Sequence, residues 1–143
     1  MVTFEVFVKR FGGLKKFIVK RSQKILKERE KEIVEMITDQ QHSGVGSDGQ
    51  KMQSGYSTGY AKKRKKKGLQ TRFVDLHFTG KMHKGMKILP VKDGVDIRSK
   101  EPYEYYVRAN FPKGFSLTKD NADVVANIVA NQLAVEIKKY LVA

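Results

Sequence analysis

Residues 56–82 read YSTGYAKKRKKKGLQTRFVDLHFTGKM. Two spaced tyrosines lead into six consecutive basic residues, Lys62, Lys63, Arg64, Lys65, Lys66 and Lys67; Asp75-Leu76 and Thr79-Gly80-Lys81-Met82 close the stretch. Tyr56, Tyr60 and Arg64 recur every four residues, so a short helix puts them on one face and fans the lysines over the others. Gly68 stands where such a helix takes a left-handed cap. Thr79 is placed to N-cap a second short helix that carries Met82 and Met86 inward. The basic run reads in three ways: a solvated helix face, a phosphate contact, or a contact with an acidic protein.

On the N-terminal side, Val2, Phe4, Val6 and Val8 alternate with Thr3, Glu5, Phe7 and Lys9. That pattern predicts a strand over residues 2–9, ended by Gly12-Gly13. From Leu14 to Gln41 there is neither proline nor glycine. Leu14, Phe17, Ile18, Ile25, Leu26, Ile33, Val34 and Ile37 recur at helical spacing, which predicts one long amphipathic helix. Periodicity then fails through residues 42–59. Residues 40–72 are expected to form a projecting loop and basic arm, and a loop this long in a compact domain generally has a job.

On the C-terminal side, Met86–Val91 and Val95–Ser99 flank Lys92-Asp93-Gly94, a hairpin signal. Alternation of Tyr103, Tyr105 and Val107 predicts a further strand. Thr118 is the expected N-cap of a final helix, with Asp120 and Asp123 in its dipole-favoured first turns. Val125, Ile128, Val129, Leu133, Ile137, Tyr140 and Leu141 form its apolar stripe. Together these segments predict a single α+β domain over residues 1–143. Its small, mostly antiparallel sheet is packed by a long N-terminal amphipathic helix and a C-terminal helix.

The chain has 143 residues, no cysteine and a formal net charge of +14, with the basic excess concentrated in residues 1–75. This balance favours a polyanion or an acidic protein as partner. Without cysteine there is no disulfide framework and no thiolate chemistry. No apolar run approaches the roughly 18 residues of a membrane span, so no membrane partner is expected. No basic segment precedes the apolar N-terminus, which reads as a strand rather than a signal peptide, and a soluble protein is expected.

Catalytic constellations are sparse. His77 and His83 are six residues apart, not the four that places two imidazoles on one helix face, and His42 lies in the loop region. Asp48, Asp75, Asp93 and Asp96 show no grouping of the kind that metal-dependent phosphodiester hydrolysis needs. Gly44, Gly46 and Gly49 lack the Gly-Lys-Ser/Thr of a phosphate loop, and Ser54 and Ser57 have no histidine at a recognisable spacing. The expectation is no catalytic residue, no metal, no cofactor and no enzymatic activity.

The order of features carries a resemblance. A long amphipathic helix and a loop precede Tyr56-Ser57-x-x-Tyr60-x-x-x-Arg64-Lys65-x-x-Gly68; Asp75-Leu76-x-x-Thr79-Gly80-x-Met82 follows. A hairpin, an aromatic Tyr105-Tyr106-Val107 segment and a C-terminal helix complete the order. This resembles the tail-completion and neck proteins of tailed bacteriophages, also described as head–tail joining or virion morphogenesis proteins. The resemblance spans roughly residues 10–141 and is sharpest over 56–86. Thr58 and Gly59 depart from it where proline is frequent, and Gly85 where serine is usual. It implies a structural subunit in a homo-oligomeric ring that joins the capsid portal complex to the tail. The implied partners are portal or adaptor and tail terminator or tail tube proteins, with DNA in the channel as a further contact. The implied location is the neck or tail of the virion, and the host cytoplasm during assembly. Lys62, Lys63, Arg64, Lys65, Lys66, Lys67 and Arg72 are then the arm that faces a neighbouring ring or DNA. The alternative from the residues themselves is a basic nucleic-acid-binding module, with Tyr56, Tyr60 and Phe73 beside the basic run.

Overall fold

The computed structural model describes residues 2–53, 55–91 and 94–143. Helix α1 (Phe4–Glu28) runs into α2 (Glu30–His42), followed by α3 (Thr58–Lys66) and the single turn α4 (Lys81–Lys84). Strands β1 (Met86–Val91) and β2 (Gly94–Ser99) pair antiparallel; α5 (Glu104–Asn110), a 3-10 turn (Pro112–Phe115) and α6 (Lys119–Val142) complete the order. The fold is α+β, with α1 packed on α6 and on the sheet.

Residues 2–9 are helical from Phe4 onward, not a strand. The same string that alternates also places Phe4, Phe7, Val8 and Phe11 at i, i+3, i+4 and i+7, so both periods are written in it. Local capping decides for the helix. Thr3 Oγ1 accepts from Val6 N at 3.3 Å, and Glu5 sits in the first turn. Gly12 and Gly13 do not end the element; they lie inside α1. Glycine in a helix costs roughly 0.5–1 kcal/mol relative to alanine, and at position 13 close packing accounts for it. A Cβ there would lie 2.7 Å from the Tyr140 hydroxyl of α6.

The long helix expected over 14–41 is interrupted once, at Arg29, although Arg29 N still donates to Ile25 O and Ile33 N to Arg29 O. Here two side chains clasp the sheet. Lys27 Nζ donates to Ile88 O at 3.1 Å, and Glu30 accepts from Ile88 N at 3.0 Å. Both edge groups of β1 at Ile88 are thereby satisfied without a third strand. The Lys27 ammonium and the Ile88 N–H hold the Glu30 carboxyl below its ordinary range despite partial burial.

The hairpin forms as expected, with Ile88 opposite Ile97 and Met86 opposite Ser99; Lys92 and Asp93 lie outside the described residues. Thr118 caps α6 by accepting from Asn121 N at 3.3 Å. Gln40 at the end of α2 holds this start in place, accepting from Thr118 N and donating to Ser116 O, both at 2.9 Å. Phe17 stacks on Tyr140 at 4.2 Å, and Arg21 pairs with Glu136 one turn further on, so α1 and α6 run antiparallel. The core lies between α2, the hairpin, the 3-10 turn and α6, around Ile33, Ile37, Met82, Ile88, Ile97 and Phe115.

The strand expected at Tyr103–Val107 is instead helix α5. Glu104 and Arg108 pair at i, i+4, with Nε to Oε1 at 2.7 Å, and the guanidinium lies over the Phe115 ring at 4.4 Å. A helix-spaced ion pair with a buried carboxylate outweighs the period of two in the tyrosines.

Ile37 is fully buried and Leu89 on the outer face of β1 is half exposed. Ile37→Ala is expected to cost about 2–5 kcal/mol in denaturant unfolding, and Leu89→Ala under about 0.5 kcal/mol.

Candidate functional site

The basic run is helical, with Tyr60 and Arg64 one turn apart as expected, but the helix starts at Thr58 and Tyr56 lies before it. Lys62 to Lys66 lie in α3, and Gly68, at φ +70°, closes the helix by donating to Lys65 O while Leu69 N donates to Arg64 O, both at 3.0 Å. This is the six-to-one, five-to-two closure that favours glycine. Lys62, Lys63, Lys65, Lys66, Lys67 and Arg72 are exposed. Arg64, expected among them on the outward arm, is 1% exposed and points the other way.

Arg64 is the centre of a polar knot. Its Nη2 donates to both Asp75 oxygens at 2.9 and 3.0 Å, Nε donates to Gln70 O at 2.9 Å, and Nη1 donates to His77 O. Its guanidinium lies over the Tyr56 ring at 4.3 Å, and Tyr56 and Tyr60 meet edge to face at 5.3 Å. Asp75 is saturated as well. Gln70 Nε2 donates to it at 2.8 Å, Tyr56 Oη at 2.9 Å and His77 N at 3.0 Å. Burial alone would raise the Asp75 pKa, but these hydrogen bonds and the Arg64 charge outweigh it and hold the carboxyl below its ordinary range. Burial beside Asp75 pushes the Tyr56 phenol up to about 12, so it remains a donor. Leu76, next in the chain, is the one non-glycine residue with positive φ (53°) among those described. Bonds on both sides of it over-determine that strained conformation.

The segment expected as a flexible connection over 42–59 is tied down at several points. Val45 bridges Lys51, Met52 N donates to Gly44 O, Ser47 N to Lys113 O, and Val74 N to Gln53 O. Thr79 stands one residue outside its expected place: Gly80, at φ +78°, is the N-cap of α4, and Thr79 Oγ1 accepts from Lys81 N at 3.4 Å. Met82 and Met86 are buried as expected, but α4 ends at Lys84 and carries only Met82, while Met86 opens β1.

The fold brings together three histidines that are scattered in the sequence. The His42 ring lies 5.1 Å from His77 and 4.6 Å from His83, and His77 lies 6.0 Å from His83. His83 is buried with both ring nitrogens unpartnered. Burial, and then the neighbouring imidazoles, push its pKa down to about 4. Burial and His77 lower that of His42 also. Among the described residues no three histidine or carboxylate side chains converge as a metal site. The aspartates do not group either. Asp75 is consumed by the knot, Asp48 pairs with Lys113 at 2.7 Å, Asp96 with Arg98 at 2.8 Å, and Asp93 and Ser54 lie outside the described residues.

Around the knot opens a cavity of about 660 Å³. Tyr56, Ser57, Tyr60, Arg64, Leu76, Thr79, Gly80 and Met82 all line it; of the motif residues only Lys65, Gly68 and Asp75 do not. Its far wall is α5 and the residues on either side of it, with Glu101, Tyr103, Tyr106 and Phe111, and His77 and His83 also line it. Sequence reasoning missed Gln70, whose amide oxygen accepts from Arg72 N and Phe73 N and turns the chain back to Asp75. A polar residue two positions after a helix-ending glycine was the available signal. It also missed Tyr103 and Tyr106, because the strand reading set them on a sheet.

Comparison with family models, curated proteins and solved structures finds no match for this chain.

Two outcomes test the site. Tyr56→Phe removes a hydrogen bond to the Asp75 carboxylate and the acceptor for Asp75 N. It is expected to cost about 1–3 kcal/mol in urea unfolding. Because the folded-state pKa values of His83 and His42 are depressed, the unfolded chain takes up protons first as pH falls below about 6.5. Thermal stability should therefore be level from that pH to about 9 and fall below it towards pH 4, with a shallower slope in His83→Met.

Proposed function

We propose that the chain is a structural virion protein of the neck or tail end of a tailed bacteriophage, working in a homo-oligomeric ring between portal complex and tail. One observation carries most of the weight. Five lysines of the basic run are solvent-facing while its single arginine is buried in the knot, so a cationic surface is held in a defined orientation. A run that served only for solubility would need no such anchor. The motif that resembles the neck proteins supplies the anchor itself: Tyr56, Arg64 and Asp75 belong to the knot, Gly68 closes the helix, and Thr79, Gly80 and Met82 form the turn beside it. Bond-breaking chemistry has no part in this reading, which fits the full engagement of Asp75. Among the described residues no helix is long and apolar enough to cross a membrane.

The exposed lysines also favour the second reading, a nucleic-acid-binding module, and the two separate cleanly. Alanine at Lys62, Lys63, Lys65, Lys66 and Lys67, with Arg64 kept, should not lower the melting temperature and should sharply reduce joined head–tail particles seen by negative-stain microscopy. Normal joining by this variant would sink the proposal. Tight duplex binding by the wild-type monomer, with a log–log salt slope of about −4 or steeper, would favour the module instead.

A further inference from the structure

The first two turns of α1 carry an apolar stripe that no described residue covers. Phe4 is 81% and Phe11 60% exposed, Val8 is half exposed, and Phe7 stacks on Phe11 at 6.3 Å. The stripe continues the row of Leu14, Phe17 and Ile18 that faces α6, but Arg10 already reaches the Ala143 carbonyl. Phe4 to Val8 therefore extend past α6 as a tip. Glu5 is the only charged side chain among residues 2–8, so neither a polyanion nor an anionic lipid surface suits it.

The cavity is the complementary shape. Tyr60, Phe78, Tyr103 and Tyr106 wall it, and Lys81 lines it; Lys67 lies over the Phe78 ring at 5.1 Å. A volume of about 660 Å³ admits two phenylalanine side chains, and Lys81 in the lining, with Lys67 over the Phe78 ring, offers cations to the single carboxylate of the tip alongside Glu101, the one unpaired lining carboxylate among the described residues. Within one molecule the two do not meet. Helix α1 has 25 residues and so spans about 37 Å, and α2 then continues from its far end to His42, beside the cavity wall at His83.

We propose that the α1 tip of one copy, through Phe4 and Phe7, docks into the tyrosine-lined cavity of a second copy. A contact between two different patches at opposite ends of a molecule is heterologous, so it propagates head to tail and closes into a ring when the rotation allows. It rests on the joining reading only in taking the chain to assemble with itself.

The chain has no cysteine, so cross-linking reads the contact directly. Phe4→Cys and Tyr106→Cys, both at exposed positions, are made as separate full-length proteins with tags of different size, mixed and oxidised. The docked pair should give a mixed disulfide dimer roughly tenfold above a Phe4→Cys with Lys87→Cys control, since docking raises the effective concentration towards millimolar. Phe7→Glu in the tip partner should abolish the excess. Only Phe4→Cys homodimers, which would mean tip-to-tip pairing, or mixed dimers at the control level would overturn the proposal. Wild-type rings without the cross-link would sink this contact and leave the joining role standing. A cross-link from a chain missing from purified virions would do the reverse.

Discussion

A buried guanidinium bound to a buried carboxylate organises the part of this protein that faces the outside. Helix α3 has nine residues, too few to be stable alone in water. Its i, i+4 neighbours include Lys62 with Lys66 and Lys63 with Lys67, like-charge pairs that each oppose the helix by about 0.2–0.5 kcal/mol. The Arg64–Asp75 bond, with Gln70, Tyr56 and the His77 carbonyl around it, supplies the tertiary hold that propensity does not. A charged pair in this position is sustained only if the remaining donors and acceptors are filled. Here each Asp75 oxygen has at least two donors, and Arg64 reaches two backbone carbonyls as well.

The same device recurs at smaller scale. A two-stranded sheet is marginal by itself, and its outer edge at Ile88 is closed by Lys27 and Glu30 from the α1–α2 junction. Gln40 and Gln41 likewise fasten residues 114–118, so that α6 starts in one place relative to α2. These clasps join the long helices to the wall of the cavity.

Much of this was legible in the sequence where one period dominated. The α6 stripe and its Thr118 cap, the Met86–Ser99 hairpin and the face shared by Tyr60 and Arg64 all follow from spacing. Residues 2–9 and 103–107 misled because both periods are present in so short a string. Thr3 capping settles one and the Glu104–Arg108 pair the other, and both act through contacts that alternation ignores. Arg64 was counted with the lysines in the outward arm, although its spacing from Tyr60 set it on a different face from them. Its planar five-donor fork makes it the residue of a basic run suited to burial against a carboxylate and two carbonyls. The histidine cluster was not legible at all, since α2, the knot and α4 must fold before His42, His77 and His83 meet.

The most direct test is a double-mutant cycle on Arg64 and Asp75, using Arg64→Met, Asp75→Leu and the double variant in denaturant unfolding. Each single change should cost about 3–5 kcal/mol because it strands a buried charge. The double change should cost clearly less than the two together, with a coupling of about 2 kcal/mol or more. Single costs below about 1 kcal/mol that simply add would show that the ion pair does not hold α3 in place, and the oriented lysine face would lose its physical basis.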